Sequence, residues 1–207
     1  MGFYDDRVLP YVIDKVCSTG QIMKLRSQIV PQAQGEVLEV GMGSGINLQF
    51  YDPLRVTRVY GLEPSHGMRR KARHNVSKSP VPLTWLDLPG EEVPLDDDSV
   101  DTVLLTFTLC TIPDWEKALK QIRRVLRPAG TLLFLEHGTA PDESVLRWQN
   151  RLTPCWKHLA GGCHLNRSIP DLLEHAGFQI KSMEQDYVPK TPSFAGYVYR
   201  GTAIGMT

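Results

Sequence analysis

The pattern of hydrophobic and polar positions changes character near residue 35. Before that point apolar residues recur at helical spacing: Val8, Tyr11, Val12 and Val16, then Ile22, Leu25 and Ile29. Gly20 divides this stretch into two predicted helices, and Pro31 ends it. Beyond residue 35, short apolar runs alternate with amphipathic ones. Strands are predicted at 36–40, 57–62, 82–86, 100–107 and 131–136. The run Val-Asp-Thr-Val-Leu-Leu-Thr-Phe at 100–107 has the composition of a strand buried on both faces. Helices are predicted from 46 to 51, over the basic stretch 67–76, and at 114–126, 143–152 and 168–176. In the 114–126 helix Trp115, Leu119, Ile122 and Val125 share one face, opposite Glu116, Lys120 and Arg123. Ser168 is placed to cap the last helix, and Arg127-Pro128-Ala129-Gly130 is read as a turn. Residues 178–187 and 194–201 alternate as two closing strands.

Strand–helix alternation predicts an α/β fold with a mostly parallel sheet and helices on both faces. A closing strand reached by a short return runs antiparallel to its neighbour. The expected organisation is a helical N-terminal extension or lid over 1–35 and a Rossmann-like domain over 36–207. Within that domain residues 141–170 interrupt the alternation and are read as a cover for a site. They contain Trp148, Trp156, Leu159 and Leu165, which suit an apolar pocket or local core.

The first predicted strand runs into Glu39-Val40-Gly41-Met42-Gly43-Ser44-Gly45. Gly41, Gly43 and Gly45 let the backbone turn tightly and approach a nucleoside ligand. Glu63 ends the next strand, 18 residues beyond Gly45, where a carboxylate accepts hydrogen bonds from both hydroxyls of a ribose. Two enzyme classes use this arrangement. A nicotinamide oxidoreductase prefers G-x-G-x-x-G, and its third glycine falls on Ile46. S-adenosylmethionine carries no phosphate and needs only room for its methionine part and ribose, so the G-x-G-x-G spacing favours it. A non-catalytic protein that binds the same cofactor is a third reading.

Four motifs in order resemble the class I S-adenosylmethionine-dependent methyltransferases, in the small-molecule group that includes the ubiquinone/menaquinone methyltransferases. They are E-V-G-M-G-S-G, G-L-E-P-S-x-x-M, V-P-L-D-D-D-S-V-D and R-V-L-R-P-A-G, over about residues 36–137. A narrower resemblance, to the membrane-associated alkyl thiol methyltransferases, rests on Phe134-Leu135-Glu136-His137, Trp148-Gln149, Pro154, Trp156 and Gly162-Cys163-His164-Leu165-Asn166-Arg167. The resemblance implies a seven-stranded sheet with an antiparallel C-terminal strand. It also implies S-adenosyl-L-methionine as cofactor, with S-adenosyl-L-homocysteine as product.

By the same resemblance, Gly41, Gly43 and Gly45 line the methionine and ribose, Glu39 lies near the amino group, and Glu63 takes the ribose hydroxyls. Pro64 and Met68 wall the adenine, although Met68 also suits core packing. Thr106 faces the methionine part, and Phe107 borders the transferred methyl. The family's usual acid near the adenine amino group falls on Pro89, so Asp87 or the backbone of Leu88 is expected to substitute. His137, at the end of a buried strand, is the candidate base, with His164 and His158 as second choices. Arg26 or Lys24 meets the cofactor carboxylate from the N-terminal helix, or else belongs to a solvated face. The acceptor is a small, apolar thiol, quinol, phenol or lipid head group.

The net charge is zero, which removes bulk attraction to nucleic acid and favours a small-molecule substrate. The run Arg69–His74 is read as a solvated face. The four cysteines form no C-x-x-C pair, so no metal is expected, although Cys155 and Cys163 stand near His158 and His164. Free thiols suit a reducing cytoplasm. Neither a secretory leader nor a membrane span is expected. Contact with a membrane surface through the N-terminal helix is left open, as is the oligomeric state.

Overall fold

Strand pairing places the chemistry. The computed structural model describes residues 8–206, and its seven strands form one sheet. They are β1 (Gly35–Val40), β2 (Val56–Leu62), β3 (Leu83–Leu86), β4 (Val100–Thr106), β5 (Leu126–His137), β6 (Phe178–Tyr187) and β7 (Tyr197–Gly205). Their spatial order is β3-β2-β1-β4-β5-β7-β6. The first five pair in parallel, while β7 runs antiparallel to both β5 and β6. This is the expected Rossmann-like sheet with its antiparallel closing strand. The helices are α1 (Leu9–Cys17), α2 (Gly20–Ile29), α3 (His66–Val76), α4 (Trp115–Val125), α5 (Glu143–Leu159), α6 (Ile169–His175) and the single turn α7 (Ser193–Gly196).

Successive strand residues point to opposite faces, which builds two cores. Leu38, Val103, Leu105 and Phe134 pack on one side with Leu119 and Ile122 of α4 and Leu173 of α6. Val37, Leu104, Leu133 and Leu135 pack on the other with Ile29 of α2, Leu48 and Tyr51. Each fully buried Leu or Phe contributes about 1.5–3 kcal/mol.

The strand order reverses between β1 and β4, and connections leaving the two strands diverge there. In open α/β sheets that divergence leaves a crevice at the carboxyl ends of the strands. Register fills it in. Val40 pairs with Leu62 and with Leu105, Leu62 with Leu86, and Thr106 with Leu135. Asp87, Glu63, Gly41, Thr106 and Glu136 therefore stand in one row along the carboxyl edge.

Four local expectations are corrected, and the face of the first helix, open in the sequence, is assigned. The helix expected at 46–51 is one 3-10 turn, Leu48–Phe50. Asp52-Pro53 stops it before a helix can nucleate, and Asn47 and Tyr51 turn inward to a buried acid instead. Arg127-Pro128-Ala129-Gly130 is extended chain within β5. Val100 pairs with Leu126 and Thr102 with Thr131, so the pairing skips these four residues in the manner of a bulge. The 143–152 helix continues through Pro154 to Leu159. Ser168 occupies the N-cap of α6, yet its side chain bonds no helix amide. The apolar stripe of α1 faces outward: Tyr11, Val12 and Val16 are exposed, whereas Leu9 and Pro10 are buried.

Candidate cofactor and acceptor site

The glycine loop leaves β1 with Gly41, Gly43 and Gly45 all at positive φ, from 60° to 71°. A side chain at Gly41 would run into Thr108, and one at Gly43 would stand 3.1 Å from Met68 Cε. The loop is thus cradled between the β4 connection and α3. Glu63 reaches across to it. Its Oε2 accepts from Gly43 N at 2.9 Å and its Oε1 from Ser65 N at 2.8 Å. Burial raises the Glu63 pKa, and those two amides oppose the shift. The carboxylate is anchored beside the loop. Met68 is half-buried and faces the loop, whereas Pro64 is exposed.

Glu39 is fully buried, but both its oxygens are already engaged, by Asn47 Nδ2 at 2.8 Å and Tyr51 Oη at 2.7 Å. Its pKa is raised by burial, with Tyr51 and Asn47 pulling the other way. Glu39 therefore orients a network. Asn47 accepts from Arg26 Nη1 at 2.8 Å and donates to Thr106 Oγ1 at 3.0 Å, and the same arginine nitrogen donates to Thr106 at 2.9 Å. Arg26 is 3% exposed, and its Nε has no partner. Lys24 is exposed, so the structure separates the two cations that the sequence left as alternatives. Asn47 and Tyr51 were not singled out in the sequence. An asparagine two residues past a glycine loop, in a stretch otherwise read as a helix, was the available signal.

On the β3 side Leu88 packs against the core, while Asp87 is exposed and bonded to Arg69 Nη2 at 2.7 Å. Arg69 also donates to Glu63 O, and Lys71 lies 3.1 Å from Asp14 of α1. At these two positions the basic run ties the rim of the site together, contrary to the solvated reading. Ser44 of the glycine loop also donates to Asp14, so α1 is pinned over the cofactor loop.

The other half of the crevice belongs to β4 and β5. Phe107 has φ 55°, a strained value for a bulky residue and one that recurs at functional sites. Its ring stacks on His137 with centroids 6.5 Å apart, and Arg26 lies over it at 5.3 Å. Glu136 is fully buried and accepts from the amides of Thr108 and Leu109 at 2.7 and 3.0 Å. Burial pushes its pKa up to about 7 against those bonds. His137 ends β5, is nearly buried, and places Nε2 3.0 Å from Cys163 Sγ. Burial works against its charged form, but Cys163 and Glu136 outweigh it and raise the pKa. The Cys110 thiol, against the cost of burial, and His137 hold Cys163 at about 4. Buried Cys110 moves the opposite way, up.

Other candidates fall away from this centre. His158, Trp148 and Leu159 are exposed, and Leu165 is core. His164 holds its amide on Cys110 O at 2.9 Å and acts as a clamp between loops.

The fold and the row of site residues define a class. Residues 38–134 match the family model described as a methyltransferase domain. The chain belongs to the class I S-adenosylmethionine-dependent methyltransferases. Human thiol S-methyltransferase TMT1B is 37% identical over 76% of this chain and 66% of its own length. Human thiol S-methyltransferase TMT1A is 30% identical over 82% of this chain and 72% of its own. The chain thus spans about two thirds of these relatives. The solved structure of the YcgJ protein from Bacillus subtilis shares the fold, with TM-score 0.67 at 15% identity over 89% of this chain and 99% of its own.

Proposed function

We propose that the chain transfers the methyl group of S-adenosyl-L-methionine to a small apolar thiol. The observation that carries this reading is the row along the carboxyl edge, where Glu63 and the glycine loop lie across the β1–β4 switch from half-buried Phe107 and buried Glu136 and His137. The cofactor supplies an activated methyl on a sulfonium. The protein aligns the acceptor with it and excludes water. A thiol, with a pKa of roughly 8.5, loses its proton more readily than a phenol near roughly 10. The soft, nearly closed surroundings of Cys163 and His137 suit sulfur, and the two human relatives are named for thiol methylation.

In this reading Glu63 takes the ribose hydroxyls, Gly41, Gly43 and Gly45 line the cofactor, and Met68 and Leu88 flank the adenine. Exposed Pro64 borders its outer edge. Arg26, buried with an unpartnered Nε, takes the cofactor carboxylate, while Thr106 and Glu39 keep Arg26 and Asn47 in place. His137 acts on the acceptor's nucleophilic atom. Residues 141–170 cover the acceptor side, and the N-terminal extension, through α1, covers the cofactor side. That extension begins outside the described residues.

Among the described residues no helix is long and apolar enough to cross a membrane. The four free cysteines suit a reducing compartment, and on that ground we place the protein in the cytoplasm, with α1 against a lipid surface. The exposed Tyr11 and Val16 support that contact, and the zero net charge argues against nucleic acid as a partner.

Radiolabelled methyl transfer is tested across alkyl thiols, phenols, quinols and lipid amines. Turnover with alkyl thiols at least about tenfold above the other classes is expected. Preference for a quinol or an amine would end the thiol reading. No turnover with any acceptor, despite cofactor binding, would favour a non-catalytic role. His137→Ala is expected to lower kcat by about a hundredfold with cofactor affinity unchanged. An unaltered kcat would remove His137 from the acceptor side. Arg26→Met is expected to raise the KM for S-adenosylmethionine by about tenfold or more, with a smaller change in kcat. An unchanged KM would return Arg26 to a purely structural part.

A further inference from the structure

Three soft donor atoms meet at the carboxyl edge of the sheet, each from a different element. Cys110 lies in the loop after β4, His137 ends β5, and Cys163 lies in the turn between α5 and α6. Their ligand atoms all lie within 4.8 Å of one another, and all three residues are buried. All four cysteines of the chain are free, so neither thiol of the cluster is committed to a disulfide. We propose that this cluster is a zinc site of two thiolates and one imidazole, whose fourth position takes the acceptor as a thiolate. The idea rests on the thiol reading above and specifies how His137 serves it, as a metal ligand.

The donor set selects the ion. Two sulfurs and one imidazole nitrogen, arranged tetrahedrally, suit Zn²⁺. With Zn–S of roughly 2.3 Å and Zn–N of roughly 2.0 Å, neighbouring donors stand about 3.5–3.8 Å apart. The three atoms already fall within 4.8 Å of one another, and His137 Nε2 and Cys163 Sγ, at 3.0 Å, need to open by about half an ångström. Three protein ligands with one open position is the catalytic form of a zinc site, whereas structural sites close with a fourth protein ligand. Glu136, the nearest acid in sequence, is not one of the clustered residues; the Thr108 and Leu109 amides hold its Oε1, and its Oε2 is buried without a partner.

One further observation agrees. The Gly161–His164 turn is clamped onto the β4 loop, through His164 N to Cys110 O at 2.9 Å. This clamp brings Cys163 to the two residues at the strand ends.

The chemistry balances. The acceptor R–SH binds the open position and releases its proton to solvent, because a metal-coordinated thiol is deprotonated. The acceptor sulfur then forms its bond to the methyl carbon. The methyl–sulfonium bond breaks as it forms, and its electron pair stays on the homocysteine sulfur. The thioether product has lost its charge and leaves the metal.

The test uses the full chain, purified without chelator under nitrogen, with zinc measured by plasma mass spectrometry. About one zinc per chain is expected, falling below about a fifth in both Cys163→Ser and His137→Ala. Titration with S-adenosylhomocysteine verifies that each variant is folded. Cobalt-substituted protein is expected to show thiolate-to-cobalt charge transfer and tetrahedral ligand-field bands. Added alkanethiol should shift these bands; added phenol should not. Less than about a tenth of a zinc per chain with no cobalt bands would overturn the site. So would full zinc retained in both variants, or a Cys110–Cys163 disulfide found by peptide mapping. Thiol methylation by zinc-free protein at the rate of the zinc form would overturn the metal's role in holding the acceptor and leave the thiol reading standing. A thiol-responsive cobalt spectrum with no methyl transfer to any thiol would sink the acceptor reading and leave the metal standing.

Discussion

Glu63→Ala is expected to weaken binding of S-adenosylhomocysteine by about a hundredfold or more. The carboxylate is 7% exposed and held by two loop amides, so its position is set before the ligand arrives. Hydrogen bonds to a charged acceptor contribute about 1.5–3 kcal/mol each. Losing two to a ribose therefore costs at least about 3 kcal/mol, or about two decades of affinity. Isothermal titration reads this directly. Glu63→Gln keeps one acceptor oxygen and is expected to fall between wild type and alanine. An affinity within about threefold of wild type for Glu63→Ala would take the ribose role away from this residue.

Gly41→Ala is expected to damage both stability and cofactor binding. The residue has φ +68°, where an L side chain costs about 1–2 kcal/mol, and its Cβ would meet the Thr108 side chain. Thr108 cannot simply yield, since its amide is bonded to Glu136. A total loss of at least about 2 kcal/mol corresponds to a melting temperature lower by about 4–8 °C at this size. Gly20→Ala is the matched control, because a Cβ there meets nothing within 4 Å and φ is not positive. It is expected to be neutral or slightly stabilising. Equal melting temperatures for wild type and Gly41→Ala would show that the loop relaxes, and would remove the argument for a rigid cradle.

The parts of the site that were legible in the sequence are local or follow from strand order. Glycines directly after a strand announce a turn at positive φ, because only glycine adopts it without strain. Glu63 was legible because a parallel crossover brings the carboxyl ends of consecutive strands to one edge, and one acid sits at that end. His137 was legible as the last residue of a buried strand on the functional edge. The acceptor side was harder to read. Cys163 was set beside His158 and His164 as a neighbour in sequence, yet its buried partners are His137 and Cys110, and His158 is on the surface. Arg26 stayed level with Lys24, because helical spacing near a chain end does not say which face the fold will cover. The outward stripe of α1 shows the same limit, since periodicity finds a face but not its partner.

The sequence by itself determined the alternation of elements, the parallel sheet with its antiparallel return, and the glycine loop with its acid. These depend on side-chain period and on the conformational demands of glycine, and both act over a few residues. Only the tertiary structure decided that Glu39 is spent on Asn47 and Tyr51, that Arg26 enters the crevice, and that Cys110, His137 and Cys163 converge. Those contacts join residues between 8 and 80 positions apart. Their geometry is set by sheet register and by the packing of loops against one another, which no local pattern encodes.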